Sequence, residues 1–238
     1  MVVGIDDYPG DRYDLRAARN DGVVLVEGLR RSGVPDHQIR TVWDQEATVG
    51  GVLDAVDWVV ANADAQDTVV FLYAGHVRDL GGGTEVLVTA ERGYIADWYL
   101  ADRFARLDVR DAWFVIAGCY GGGFDELLAP GRVLTAAAPA GQLAFEDDYY
   151  GLSFLGEYLL RRAFANGEAG APTVQAVTAW AMANLAVDHP DRQLWHVDIA
   201  GHTIALDGTG RDEPAPEVPG PAAPAANCVL GILCSTRD

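Results

Sequence analysis

Short apolar runs recur along the chain and predict the strands of a sheet. The runs at residues 68–73 and 113–117 have no alternating polar positions, and a third run follows at 132–136. A strand that is covered on both faces has no polar face, so such runs are typical of a buried parallel sheet. Weaker strands are predicted at residues 2–5, 39–43 and 85–89, and a late strand or hairpin at 196–206.

Segments with apolar residues at helical spacing lie between these runs. The predicted helices cover residues 17–31, 48–63, 97–107, 153–164 and 173–185. Thr48 and Asp97 are candidate N-caps, since a side-chain oxygen at that position accepts a bond from a free backbone N–H. Strands that alternate with helices predict an α/β fold in which helices cover both faces of a mostly parallel sheet. Function in such folds collects beyond the carboxyl ends of the strands.

The net charge narrows the range of partners. The chain has 238 residues, with 17 arginines, no lysine and 35 acidic residues, which give a formal net charge of −18. Such a surface repels phosphate backbones and anionic lipids, so we expect neither nucleic acid nor a membrane as a partner. No apolar run approaches the roughly 18 residues that a membrane span needs, and no signal peptide is visible. The odd number of cysteines, 3, argues against a disulfide framework and for a cytoplasmic protein.

A change of composition marks the end of the predicted domain. Residues 1–207 carry the α/β pattern, residues 208–227 are rich in proline, alanine and glycine and predict a linker, and residues 228–238 form a short apolar tail. The tail is expected to add an edge strand or to pack on the core. An alternative is an intramolecular contact in which the tail offers Arg237 to Asp21 and acts as a tethered inhibitor. No internal repeat is visible, and the oligomeric state is open, with a monomer favoured.

Two of the predicted buried strands are each followed closely by a residue with a reactive side chain. The run at 68–73 leads into Ala-Gly-His, which ends at His76, and the run at 113–117 leads into Gly-Cys, which ends at Cys119. If these strands are neighbours, the imidazole and the thiol project into the same crevice, where the histidine can take the thiol proton. Each residue alone is more often structural, as a loop histidine or a small core cysteine. Their matching positions favour a Cys–His site, and the neighbouring glycines leave backbone N–H groups free for an oxyanion.

These motifs resemble those of caspase-like cysteine peptidases. FLYAGH is similar to the strand that ends on their histidine, and FVIAGCYGGGF to the strand that ends on their cysteine. Bacterial metacaspases and orthocaspases, of family C14 in clan CD, are also similar to the segments VVGIDDYPG, LRAARND, DQEATVGGVLDAVDWV, LTAAAPAGQLAFEDDYYGLSFLGEYLLRRAF and RQLWHVDIAG. The resemblance covers residues 2–206. It implies a three-layer α/β/α sandwich and an endopeptidase with a Cys–His dyad.

The resemblance also implies roles for single residues. Cys119 would be the nucleophile, and His76 its acid–base partner, which protonates the leaving amine. The backbone N–H of Cys119, with those of Gly118 and Val77, would hold the oxyanion. Asp21 would line a pocket for arginine or lysine before the scissile bond, since a carboxylate accepts two hydrogen bonds from a guanidinium. The implied partner is a protein or peptide substrate with a basic residue at the cleaved bond.

Three positions depart from the family's pattern. Ala117 stands where an aspartate usually comes two residues before the cysteine, and Val77 where a glycine usually follows the histidine. Both changes are expected to alter specificity or to reduce activity, whereas Gly118 in place of alanine is expected to be harmless. Some metacaspases need calcium, held by acidic loops, and the acids at 125–126 and 146–148 are candidates for it. We assign no metal and no cofactor, and calcium activation stays open.

Two other interpretations of the same residues stay open. AGCYGGG also resembles the nucleophile elbow of Cys-bearing α/β-hydrolases such as dienelactone hydrolases, which need an acid and then a histidine after the nucleophile. His189, His196 and His202 are available for that role, but His76 would then have none. The second alternative is a catalytically inactive caspase-like domain that binds partners, which the departures beside the histidine and the cysteine would permit.

Overall fold

A mostly parallel sheet of six strands forms the centre of residues 1–207, which are the residues that this computed structural model describes. The predicted linker and tail, with the alternative contact through Arg237, lie outside these residues. In chain order the strands are β1 (Val2–Gly4), β2 (Thr41–Trp43), β3 (Thr68–Ala74), β4 (Val77–Asp79), β5 (Glu85–Val88), β6 (Tyr94–Ala96), β7 (Asp111–Ala117), β8 (Arg132–Ala136), β9 (Glu146–Asp147), β10 (Leu152–Ser153) and β11 (Trp195–Asp198). The helices are α1 (Ala18–Arg31), α2 (Val49–Asn62), α3 (Asp97–Phe104), a π-helix (Gly156–Ala165) and α4 (Val174–Asp188).

The central sheet has the strand order β11-β8-β7-β3-β1-β2. The five strands from β8 to β2 in that order pair in parallel, and β11 closes one edge antiparallel to β8. A separate antiparallel sheet consists of β4, β5 and β6, and β9 pairs with β10. The prediction of a mostly parallel sheet is therefore confirmed.

Helices cover both faces of the sheet, and the side chains of β7 alternate between the two covered faces. Phe114 and Ile116 belong to the core beneath α2 and α3, whereas Trp113 and Val115 belong to the core beneath α1, the π-helix and α4. All four are fully buried, so the strand has no polar face. The fold is the predicted three-layer α/β/α sandwich. No helix within residues 1–207 is long and apolar enough to cross a bilayer.

One of the two predicted helix caps is present and the other is not. Thr48 Oγ1 accepts a hydrogen bond from Gly51 N at 3.0 Å and so caps α2. Asp97 is the first residue of α3 rather than its N-cap, which is Ala96. The prediction of an Asp97 cap is wrong because this carboxylate turns inward. It is fully buried and accepts the N–H of Glu85 in β5 at 2.7 Å.

The structure also adds features that the hydrophobic pattern does not predict. Short strands β4 and β6 flank β5, and the late strand is confined to β11. The helix predicted at 153–164 is wound as a π-helix from Gly156, and at its end Asn166 N donates to Arg161 O at 2.8 Å. Apolar spacing distinguishes a helix from a strand, but over one short segment it does not distinguish a π-helix from an α-helix.

Asp21 lies at the junction between α1 and the π-helix. Its carboxylate accepts the N–H of Ser153 at 3.0 Å and the hydroxyl of the same residue at 2.5 Å. Ser153 Oγ in turn accepts the N–H of Gly156 at 2.9 Å. Asp21 is fully buried, and a Cβ at residue 156 would lie 1.8 Å from its Oδ1. The helix can pack against Asp21 in this way because residue 156 has no side chain.

We expect Gly156→Ala to destabilise the protein by about 1–3 kcal/mol, because the added methyl group overlaps the Asp21 carboxylate. Gly50→Ala in α2 is the matched control, since the nearest atom to a Cβ there is Thr48 Oγ1 at 3.9 Å. That control should stabilise the protein by up to about 1 kcal/mol, as alanine does when it replaces a helical glycine. Urea unfolding measures both effects, and equal stabilities of the two variants would contradict the packing at Gly156.

Candidate active site

The candidate histidine and cysteine follow two neighbouring strands at the same edge of the sheet. β3 pairs in parallel with β7, and the last rung of this pairing joins Ala74 to Ala117. His76 and Cys119 each lie two residues beyond that rung. The expectation that their strands are neighbours is confirmed, and both residues leave the sheet at its carboxyl edge.

Two tyrosine hydroxyls hold the backbone of His76. Tyr73 Oη lies 2.8 Å from the carbonyl oxygen of His76 and 2.7 Å from that of Val88, and Tyr8 Oη accepts the His76 N–H at 3.0 Å. The ring of Tyr8 also packs on the imidazole, with the ring centroids 4.7 Å apart. A Cβ on Gly75 would lie 2.7 Å from Tyr8 Oη and 2.8 Å from Tyr73 Oη. The residue before the histidine must therefore be glycine for this network to form.

The imidazole is oriented by a backbone carbonyl. His76 Nε2 lies 2.8 Å from the carbonyl oxygen of Tyr13. Because a carbonyl only accepts, Nε2 carries the proton in this contact, and Nδ1 of a neutral ring is left as the acceptor. Cys119 Sγ accepts the N–H of Ala144 at 3.4 Å. Within residues 1–207 no hydrogen bond joins His76 to Cys119 directly.

Two backbone N–H groups at the cysteine have no acceptor within residues 1–207. Those of Gly118 and Cys119 donate to no group in the described part of the chain. Val88 N donates to His76 O at 2.9 Å, so His76 and Val88 form a hydrogen-bonded pair. Hydrogen-bonded and non-hydrogen-bonded pairs alternate along an antiparallel ladder. The next pair, Val77 with Leu87, is therefore a non-hydrogen-bonded one. The Val77 N–H therefore points away from β5. These are the donors that the family resemblance assigns to the oxyanion, and they are free to take that role.

The first glycine of the cysteine loop is required by its contact with the histidine loop. A Cβ on Gly118 would lie 2.6 Å from the carbonyl oxygen of Gly75 and 2.8 Å from Val77 Cγ2. Tyr120 follows in the left-handed region, with φ of 56°, which turns the chain sharply after the cysteine. The two loops thus approach so closely that no side chain fits at residue 118.

Asp21 does not face an open pocket in this structure. Its side chain is fully buried, and both carboxylate oxygens bind Ser153. Burial raises the pKa of Asp21 from 3.8 to about 7, although the Ser153 hydrogen bonds act in the opposite direction. A role for Asp21 in binding a substrate cation therefore stays a prediction. It requires the hydrogen bond from the Ser153 hydroxyl to Asp21 to break.

Other acids lie around Asp21 and the entrance to the site. Glu146 accepts the N–H groups of Arg16 at 3.1 Å and Ala17 at 2.9 Å, and so connects β9 to the start of α1. Asp6 follows β1 and is half-buried. Burial raises the pKa of Asp6, and the charges of Glu146 and Asp44 raise it further. Several carboxylates therefore lie together at this edge of the sheet, where Arg19 pairs with Asp44 at 3.6 Å.

A buried acidic pair lies on the far side of the cysteine loop. Glu85 and Asp97 are both buried, and a Cβ on Gly123 would lie 2.3 Å from the Glu85 carboxyl carbon. Burial, with the nearby charges of Asp97 and Asp79, raises the pKa of Glu85 to about 7. Within residues 1–207 no three histidine, cysteine or acidic side chains converge closely enough to hold a metal ion. The acids at 125–126 and 146–148 form no such cluster among these residues, and calcium activation stays a prediction.

The later histidines have structural partners elsewhere. His189 Nε2 lies 3.3 Å from Tyr150 Oη, and His196 Nδ1 lies 3.0 Å from Thr135 Oγ1 in the sheet. His202 pairs with Asp111, which begins β7 at the edge opposite Cys119. None of the three hydrogen-bonds to Cys119 among the described residues, so an α/β-hydrolase triad gains no support.

Two residues that contact His76 could not be predicted from the sequence. Tyr8 and Tyr13 act through a hydroxyl and a backbone carbonyl, and their partner His76 lies more than 60 residues away along the chain. A carbonyl can come from any residue type, so no motif could have pointed to Tyr13. Tyr8 belongs to the opening segment VVGIDDYPG, but nothing in that segment indicates which group its hydroxyl meets.

The fold and this edge of the sheet define a caspase-like domain. A family profile for the caspase domain of C14 peptidases matches residues 1–182, and the chain therefore belongs to that family. Among solved structures, the chain is similar to protein GSU0716 from Geobacter sulfurreducens, with a TM-score of 0.67 and 14% identity over 86% of this chain and 92% of that one. At this identity the likeness shows the fold alone. No curated protein matches the chain.

We expect the protein to lose stability as the pH rises from about 5 to about 8. The pKa of Asp21 and that of Glu85 are both raised to about 7, from 3.8 and 4.5. In the folded state the Asp21 and Glu85 carboxyls keep their protons up to about pH 7, whereas in the unfolded chain they lose them near pH 4. Their contribution to stability is therefore complete at low pH and is lost as the pH rises through 7. Thermal unfolding across this range measures the trend. Asp21→Asn and Glu85→Gln should each make stability less dependent on pH. An unchanged pH dependence in both variants would contradict the raised pKa values of these two groups.

Proposed function

We propose that the protein is a cysteine endopeptidase in which Cys119 and His76 form the catalytic dyad. The observation that carries this proposal is the register of β3 with β7, which sets both residues two positions beyond one rung of the sheet. Membership in the C14 family supports a peptidase as the class of activity. The free N–H groups beside Cys119 support acyl transfer as the chemistry.

The proposed reaction has two stages. In the first, the Cys119 proton passes to His76 Nδ1, Sγ attacks the scissile carbonyl carbon, and the carbonyl oxygen becomes an oxyanion facing the N–H groups of Gly118, Cys119 and Val77. His76 then gives its proton to the amine nitrogen as the C–N bond breaks, which leaves a thioester. In the second stage water attacks the thioester, its proton passes to His76, and the thiolate leaves and is reprotonated.

The Tyr13 carbonyl would act as the third member of this arrangement. By accepting the Nε2 proton at 2.8 Å it selects the tautomer that leaves Nδ1 as the base. When Nδ1 takes the thiol proton, the same carbonyl stabilises the positive ring that results. Catalytic histidines are commonly oriented by such a third group, and a carbonyl performs the task without a charge of its own.

We propose cleavage after arginine, with lysine weaker. The acidic surroundings of Asp6, Asp44 and Glu146 support a cationic side chain at this edge, and a planar guanidinium gains more from a carboxylate than an ammonium does. Asp21 takes part in this proposal if the guanidinium replaces the Ser153 hydroxyl on its carboxylate. The substrate class is then a protein or peptide with a basic residue at the cleaved bond, and no cofactor is proposed.

One alternative function has specific observations in its favour. Ala117 and Val77 replace residues that the family usually has, and the dyad residues do not hydrogen-bond to each other in the described chain. Both facts suit an inactive caspase-like domain that binds partners. A loose dyad is common in peptidases without substrate, however, and Val77 still has an N–H to offer. Activity measurements separate the two functions.

We expect Cys119→Ala to abolish hydrolysis of a fluorogenic arginine peptide and His76→Ala to lower kcat/KM by about 1,000-fold or more, because nucleophile and base act as a unit. His37→Ala, at an exposed histidine outside the site, is the control and should keep full activity. The assay is run with added calcium and with EGTA, since calcium activation is open. Equal activity of wild type and Cys119→Ala would overturn the dyad.

We expect peptides that differ only before the scissile bond to rank arginine above lysine, with aspartate uncleaved, because of the acidic surroundings. Asp21→Asn should lower kcat/KM for arginine about 10-fold or more if Asp21 receives the guanidinium. Ser153→Ala, which removes the competing hydroxyl, should leave arginine preferred. An unchanged arginine preference in Asp21→Asn would show that Asp21 does not bind the guanidinium. Preferred cleavage after aspartate would contradict the proposed specificity for basic residues.

A further inference from the structure

A cavity of about 300 Å³ opens beside the candidate thiol. Its walls come from the loop after β8, the turn before the π-helix, the end of α4 and the loop before β11. Its apolar lining includes Leu143, Phe145 and Phe154, and its polar lining comes from Asp191, Arg192 and two glutamines. The cavity has one cationic group, the Arg192 guanidinium.

The cavity is connected to the site through the segment 143–145. Ala144 lines the cavity, and its N–H lies 3.4 Å from Cys119 Sγ. Leu143 and Phe145 on either side of it are large apolar residues that stay exposed. The cavity mouth is therefore within reach of a side chain next to a peptide bond that is bound at Cys119. A hydrogen bond of 2.9 Å between Gln193 and Gln142 joins the two loops that line the cavity.

The Arg192 guanidinium is held in place, but only some of its N–H groups have hydrogen-bond partners within residues 1–207. Its guanidinium lies 4.1 Å from the ring centroid of Phe145 and 5.5 Å from that of Phe154. Nη1 pairs with the exposed carboxylate of Asp191 at 2.7 Å. Nε is buried and has no partner within residues 1–207, and Nη2 makes no hydrogen bond there either. The free Nε–Nη2 edge is one of the edges with which arginine binds a carboxylate bidentately.

Another stacked arginine shows that this free edge is not a general feature of the protein. Arg162 lies 5.0 Å from the ring centroid of Tyr158, so its guanidinium is packed in a similar way. Its Nε, however, pairs with Glu168 at 3.3 Å, and its Nη1 pairs with Asp188 at 3.4 Å. A buried N–H without an acceptor is costly in a folded protein. The open edge of Arg192 therefore points to an acceptor that arrives from outside.

We propose that this cavity is a second substrate subsite, which takes a glutamate side chain of the bound peptide. The Arg192 Nε–Nη2 edge binds the carboxylate after a small movement of the half-exposed Phe145 ring, and the apolar walls contact the two methylene groups. Aspartate fits less well because it has one methylene fewer. The inference rests on the proposed peptidase function.

The test uses arginine peptides with Glu, Gln, Asp, Leu or Lys placed in turn at each position near the scissile bond. At one position we expect kcat/KM to be about 10-fold higher for Glu than for Gln. Arg192→Leu should bring that ratio close to one. Arg30→Leu, which removes an exposed cation at the end of α1, is the matched charge control and should keep the ratio. Thermal unfolding verifies that both variants are folded.

The outcomes separate this inference from the proposed function. Cleavage with no Glu preference at any position, or a preference that Arg192→Leu keeps, would overturn the subsite and leave the peptidase standing. If wild type cleaves none of the peptides, their binding is measured by fluorescence anisotropy instead. Glu-dependent binding that Arg192→Leu abolishes would then support the subsite although the peptidase had failed, and binding that Arg192→Leu does not alter would overturn it.

Discussion

The parallel pairing of β3 with β7 determines where the two candidate catalytic side chains lie. Their last rung joins Ala74 to Ala117, so any residue at the same distance beyond each strand comes to the same part of the sheet edge. A slip of one residue would turn the side chains of one strand to the other face and separate His76 from Cys119. Both strands are buried on both faces, and the two cores on either side hold the register.

The same pairing explains why a glycine precedes each of the two residues. Gly75 and Gly118 occupy matching positions, and a Cβ on Gly118 would lie 2.6 Å from the carbonyl oxygen of Gly75. A side chain at either position would push the loops apart or displace the tyrosine hydroxyls that hold the His76 backbone. The glycines of the matching Ala-Gly-His and Ala-Gly-Cys motifs are therefore a packing requirement of this edge, in addition to any role in binding an oxyanion.

The sequence predicted those parts of the fold that depend on local pattern. The apolar runs at 68–73 and 113–117 identified the two central strands, and the Thr48 cap follows from one residue type at one position. What the pattern missed depends on contacts distant in the chain. The Tyr13 carbonyl meets His76 across 63 residues, and Asp21 meets Ser153 across 132. An aspartate within a helix resembles a surface residue until the partner that buries it is known.

Labelling with an arginine chloromethyl ketone tests the central claim most directly, namely that β3 and β7 assemble a reactive Cys119–His76 pair. The account predicts one label per chain, bound through Cys119 Sγ with loss of chloride, and much slower labelling in His76→Ala. The other cysteines, Cys228 and Cys234, should stay unmodified under the same conditions. Labelling of all three cysteines at similar rates, or a rate at Cys119 that His76→Ala does not change, would contradict it.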